Sequence, residues 1–323
     1  MLNSGVSMPC LKIGFVMDPI EAIRTEVDST YLIMLESQRR GHEIFYMTVP
    51  DLYLHTQTPM ATSRAIRVFR GKEYFRLGDE TLLCLNDLDV LFMRKDPPFD
   101  MDYCIATLIL SMVHTKTLVI NSPQGLRDCN EKVSVLRFPE LIPETIVSRQ
   151  ISVLQKFLQE MNGEMIVKPL DKSYGRKILY VHKNDSNANT LLEMATKEES
   201  RFVMAQRYLH EAAQGDKRII LLNGEPIGAV LWLPPQNSFD RPPIRIPWHE
   251  AKTELTEREC VVCRTIAPFL KKNGLYLAGI DMIGGCLIEI NITSPTCLHE
   301  INALNQDCLE SKVIDFVEEE CRK

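Results

Sequence analysis

The chain has 323 residues, of which 45% are hydrophobic and 25% charged. That is enough for two or three domains with substantial cores, in the composition of a globular protein. A net charge of -6 argues against a nucleic-acid partner, which calls for a basic face or stripe. No apolar run approaches bilayer-spanning length, and Met1 to Cys10 lack both the basic start and the hydrophobic segment of an export signal, so a cytoplasmic location is expected.

In chain order, Leu11 to Met17 reads as a strand and Ser29 to Arg40 as a helix stopped by Gly41. Glu43 to Met47 is again extended, completing a βαβ unit. Leu88 to Met93 and Thr117 to Ile120 add buried strands around a helix from Asp102 to Val113, so an open, mostly parallel sheet fills the first third. Ligands of such sheets sit beyond the strand carboxyl ends, where this chain places Asp18 and the charged run Arg94-Lys95-Asp96. Asn121-Ser122-Pro123 reads as a hinge, giving an N-terminal domain over 1–122. A central domain is expected over 123–204, and strand, glycine-bearing loop, strand, helix and strand follow one another between Glu164 and Tyr208. In the last domain, 205–323, strands Lys217 to Leu222 and Pro226 to Leu233 precede a long loop, Pro234 to Lys252, and a helix from Thr256 to Lys272.

The 10 cysteines are irregularly spaced, which predicts reduced, mostly buried thiols rather than a disulfide framework. Cys260 and Cys263 fall inside a helical pattern with no second pair nearby, so helix packing is expected of them rather than zinc or redox chemistry.

The chemistry concentrates near the end. Gly279-Ile280-Asp281 is followed, after a glycine-containing turn, by Ile288-Glu289-Ile290-Asn291. These are hard oxygen ligands of the kind Mg²⁺ takes when it is shared with nucleotide phosphates. Glu289 and Asn291, two apart on a strand, point the same way. A two-residue Gly284-Gly285 turn would pair Asp281 with Ile288 and turn it away, whereas an odd-length connection centred on Gly285 sets it opposite Glu289. The metal reading therefore predicts the odd-length connection. Spacing alone leaves a second reading open, an acidic hairpin on a solvated sheet face. Upstream, Lys132 and Lys168 are candidate phosphate-binding cations, and Arg218 can pair bidentately with a carboxylate or phosphoryl group.

Several segments together resemble prokaryotic glutathione synthetases, a family of ATP-grasp ligases. They are Gly14 to Pro19, Met93 to Asp100, Leu126 to Lys132, Val167 to Asp171, Gly215 to Arg218 and Glu289 to Cys297, in order from Leu11 to the C-terminal helix. The resemblance implies an α/β ATP-grasp fold in which two subdomains enclose ATP. It also implies ATP and Mg²⁺ (or Mn²⁺) as cofactors, with γ-glutamylcysteine and glycine joined through an acyl phosphate. It carries over Asp281, Glu289 and Asn291 as metal ligands. Lys132, Lys168, Gly175, Gln206, Tyr208, Leu209 and Asp216 become nucleotide-binding residues, and Arg218 and Arg241 catalytic ones. Asp18, Ser29, Arg94, Asp96, Ser294 and Thr296 face the substrate. A homotetramer with small-molecule substrates, no nucleic acid and no membrane is implied as well.

Two loops depart from the family pattern. Asp171 to Lys177 has one glycine and a Tyr174 where the family is glycine-rich, and Phe239 to His249 is proline-bearing where the family has an acceptor lid. His299 stands where the family tends to have arginine. These departures keep open a different amine acceptor, or a catalytically weak nucleotide-binding relative.

Overall fold

The computed structural model describes residues 10–170, 178–234 and 248–323. Both divergent loops fall largely outside them, and so do Gly175 and Arg241.

The described chain begins with β1 (Lys12–Val16), α1 (Ser29–Arg39), β2 (Glu43–Met47), β3 (Leu52–His55), β4 (Thr58–Val68), β5 (Phe75–Cys84), β6 (Val90–Met93), α2 (Met101–Leu110) and β7 (Leu118–Ile120). Next come α3 (Pro123–Asp128), β8 (Thr145–Ser148), α4 (Ile151–Glu160), β9 (Glu164–Pro169), β10 (Leu179–His182), α5 (Ala188–Thr196) and β11 (Val203–Arg207). The remainder is β12 (Asp216–Leu222), β13 (Glu225–Leu233), β14 (His249–Lys252), α6 (Glu257–Lys272), β15 (Leu277–Ile283), β16 (Cys286–Asn291), α7 (Leu298–Asn305) and α8 (Leu309–Glu320). Two compact units result, one built from residues up to 96, 101–125 and 296–323, the other from 97–100 and 126–295.

In the first unit, one sheet runs in the order β3-β4-β2-β1-β6-β7 with β5 against β4. The strands β2, β1, β6 and β7 are parallel, as predicted, and bury Ile13, Phe15, Val90 and Phe92 completely. The antiparallel strands β3 to β5 extend this sheet and were missed in the sequence. Strand β4 does bury every second residue over much of its length, but the small Ala61 and Ser63 hold two of those positions ahead of Ile66 and Val68, and no residue of β5 is buried. Helix α1 starts at Asp28, whose carboxylate accepts the Tyr31 N–H.

On that helix Arg39, then Arg40, hold the Glu36 carboxyl down at about 2 from its ordinary 4.5. A depressed carboxyl stabilises the fold above its unfolded value and loses that contribution as pH falls towards the folded value. Acid titration should therefore weaken the protein between about pH 4.5 and about 2. Glu36→Gln should flatten stability over that interval, as measured by denaturant unfolding at each pH.

The second unit contains two antiparallel sheets, β10-β9-β11-β8 and β14-β13-β12-β15-β16. On the first, Met165, Val167, Val181, Val203 and Ala205 pack under α4 and α5 against Leu154, Phe157 and Leu192. Strand alternation sends Lys168 and Gln206 to the opposite face. On the second sheet, Lys217 points at α6, where its ammonium meets Glu259 at 2.8 Å, both buried, and the Glu254 carbonyl at 2.9 Å. Glu259 in turn closes the capping box with Thr256. Lys217→Met would strand a buried carboxylate, so a destabilisation of about 3 kcal/mol is expected in urea unfolding. Adding Glu259→Met should recover most of it.

The predicted long loop over Pro234 to Lys252 ends early, because His249 to Lys252 pair with β13 as β14. The cysteines are free, but only Cys129, Cys263 and Cys297 are buried, fewer than expected. Cys263 packs in the core from α6, the role the helical pattern predicts.

Candidate active site

The β15–β16 hairpin corrects the predicted connection while keeping the predicted pairing. Its turn is the two-residue Gly284-Gly285, both at positive φ, with Ile283 opposite Cys286 and Met282 opposite Leu287. A β-bulge then intervenes, and Asp281 faces Glu289 with Ile288 as the extra residue. The odd residue sits in the strand rather than in the turn.

The hairpin, β12 and the Glu131-Lys132 segment bring the charged groups of the second unit together. The Glu131 carbonyl accepts the Ile290 N–H at 3.0 Å, and its carboxylate accepts the N–H groups of Ile292 and Thr293 at 2.9 and 3.0 Å. Fastened this way, Lys132 reaches Glu289 at 2.8 Å. Lys132 stands just ahead of a short 3₁₀ turn, Val133–Arg137. Arg218 lies opposite Asp281 across the β12–β15 ladder and holds its carboxylate bidentately through Nε and Nη2. Asn291 donates to the same carboxylate at 3.0 Å. Gly279 leaves room for this arrangement, since a Cβ there would come within 3.1 Å of Arg218 Cδ and 3.4 Å of Pro295 Cβ.

Electrostatics favour a cation here. Glu289 is driven above the usual carboxylate range by burial, and Asp216 is pushed up to about 8 by burial and then by Asp281. One Asp216 oxygen is buried with no hydrogen-bond partner. Hard oxygen donors, an orphaned carboxylate oxygen and mutual repulsion among Asp216, Asp281 and Glu289 fit a small divalent cation held by Asp281, Glu289 and Asn291.

Lys168 is almost fully buried on β9, and burial lowers its pKa. Its ammonium donates to Gln206 Oε1 at 2.7 Å on the neighbouring β11. Just beyond, Leu209 is buried and the Tyr208 ring meets Tyr180 edge-on at 4.9 Å. Ser294 lies half-buried after Thr293 in the same unit.

The remaining predicted substrate residues belong to the first unit. Asp18 accepts from the Asp96 N–H at 2.9 Å and pairs with Lys95 at 3.0 Å, which ties together the ends of β1 and β6. Arg94 is buried against Thr30, Ser29 caps α7 by accepting the Leu298 N–H, and Thr296 is half-buried beside Cys297. His299 contacts the Asp28 carbonyl at 3.1 Å. Sequence reasoning overlooked Glu131, Thr30 and Thr145, since each works through a partner distant in sequence.

The ATP-grasp domain of prokaryotic glutathione synthetases matches residues 131–306, and the family's N-terminal domain matches residues 11–127. The chain belongs to the prokaryotic glutathione synthetase family. A glutathione synthetase of Yersinia pestis is 44% identical over 91% of this chain and 92% of its own length. That of Escherichia coli (strain K12) is 41% identical over 95% and 98%. Among solved structures, D-cycloserine synthetase DcsG superposes with a TM-score of 0.68 at 13% identity, covering 96% of this chain and 99% of its own. The ATP-grasp ligase PsnB, complexed with precursor peptide PsnA2 and AMPPNP, gives 0.61 at 13% identity over 98% and 100%. These distant likenesses establish the ATP-grasp fold, and the glutathione synthetase relatives set the family.

Proposed function

We propose that this chain is an ATP-dependent glutathione synthetase, joining γ-glutamylcysteine to glycine. The observation that carries the reading is the half-buried set Asp281, Glu289 and Asn291, bracketed by Lys132, Lys168 and Arg218, in a chain of this family. ATP would transfer its terminal phosphoryl group to the cysteinyl carboxylate, releasing ADP. The amine of glycine then attacks the acyl phosphate, phosphate leaves, and an amide remains.

Lys132 and Lys168 hold phosphate oxygens, and the Gln206, Tyr208 and Leu209 segment borders the adenine with Asp216 nearby. Asp281, Glu289 and Asn291 would hold a divalent cation, which we take to be Mg²⁺ and which would supply charge neutralisation to the phosphate oxygens. Arg218 offers a rigid fork to charge developing on the transferred group. Asp18, Ser29, Arg94, Asp96, Ser294 and Thr296 bind the dipeptide, while Gly175 and Arg241, which the family resemblance adds as a nucleotide-binding and a catalytic residue, lie outside the described residues. The same reading includes a homotetramer located in the cytoplasm, to be checked by sedimentation and cell fractionation. Among the described residues, no helix is long and apolar enough to cross a membrane.

Incubation with γ-glutamylcysteine, glycine, ATP and Mg²⁺ tests the assignment. Glutathione and ADP should accumulate in equal amounts. ADP formed with another amine but not with glycine would move the acceptor, and no ADP with any acceptor would sink the ligase reading.

A further inference from the structure

We propose that Thr145 is a positioning residue for the Lys168 ammonium, acting through the side-chain amide of Gln206; its role in nucleotide binding rests on the ligase reading above. Thr145 lies on β8, directly opposite Gln206 of β11 in the antiparallel ladder, and β9 with Lys168 flanks β11 on its other side. A directional chain runs across the three strands. Lys168 Nζ donates to Gln206 Oε1 at 2.7 Å, Gln206 Nε2 donates to Thr145 Oγ1 at 3.1 Å, and Thr145 Oγ1 donates to the Pro143 carbonyl at 2.7 Å.

The polarity of that chain is set at its far end. A hydroxyl has one hydrogen. Thr145 gives that hydrogen to Pro143 and can then only accept from Gln206. The amide must therefore turn its NH₂ towards Thr145 and its carbonyl towards Lys168. Flipped, it would set its NH₂ against an ammonium and its oxygen against a hydroxyl lone pair, two mismatches in a place where Gln206 is only 2% exposed. Lys168 is nearly as buried and its charged form is disfavoured there, so a fixed carbonyl beside it keeps the ammonium both charged and aimed. Proline at 143 supplies an acceptor and no competing N–H.

Steady-state kinetics separate this role from mere support of the sheet. Thr145→Val keeps the shape and removes the hydroxyl, and should raise KM for ATP about fivefold, the effect of one net hydrogen bond, with kcat changed less than about twofold. Thr145→Ser should restore KM. In a Gln206→Met background, Thr145→Val should add nothing. Either an unchanged KM in Thr145→Val, or a rise of the same size in the Gln206→Met background, overturns the proposal. NMR hydrogen exchange of the Gln206 side-chain amide decides the relay without nucleotide, so failure of the ligase reading stays distinguishable. The amide should be protected in the wild type and in Thr145→Ser and exchange rapidly in Thr145→Val. An amide that exchanges as fast in the wild type as in Thr145→Val overturns the relay.

Discussion

Arg218→Met is expected to lower kcat by a hundredfold or more, on the order of 3 kcal/mol of transition-state stabilisation. Charge develops on the transferred phosphoryl group and on the tetrahedral intermediate, and a preorganised donor counts most where water is excluded. Arg218 meets that condition, because Asp281 grips it bidentately on the floor of the sheet and only 18% of its side chain is exposed. Arg218→Lys keeps the charge but not the planar fork, and should recover only part of the rate. Steady-state kcat at saturating ATP and dipeptide, with circular dichroism to confirm folding, provides the measurement. A lysine variant as fast as the wild type would show that charge alone suffices and that the fork is irrelevant.

Glu289→Gln should weaken the metal requirement's grip more than tenfold, since losing even an outer-shell partner of a metal ligand typically costs ten- to a hundredfold in affinity. The amide keeps the shape and one oxygen but removes the charge that a small divalent ion needs. It also removes the partner of Lys132, whose ammonium sits 2.8 Å from Glu289 and is itself buried. The variant should thus need more Mg²⁺ to bind ATP, with half-saturation moved to higher metal concentration in calorimetric titrations. Unchanged Mg²⁺-dependent ATP binding would remove Glu289 from the ligand set.

What could be read from the sequence was the part governed by local pattern. β1, α1, β2, β6 and α6 have apolar periodicity and clear stops, and fall within about two residues of their predicted bounds. The register of Asp281 on Glu289 was legible as well, because only one pairing puts both carboxylates on one face. The bulge that achieves it was not, since a bulge is a choice between two backbone solutions with the same side-chain outcome. Strands β3 to β5 escaped because buried apolar residues are sparse on them, β3 burying Leu52 alone, β4 placing Ala61 and Ser63 among its buried positions and β5 burying none, and β14 because four residues paired to a neighbour carry no period of their own. In the candidate site, the charged residues announced themselves by type. Those that aim them, Glu131 and Thr145, are ordinary in sequence and acquire meaning only across strands 60 residues or more apart.

Gly279 shows what such a site demands of its surroundings. Its missing side chain is the space along which the Arg218 stem runs, with Pro295 closing the other side. A side chain at that position would press the Arg218 stem and Pro295 aside by a few tenths of an ångström, so the empty place belongs with the aspartate, glutamate, asparagine and arginine. In this hairpin an atom left out is as much a component as the charges around it.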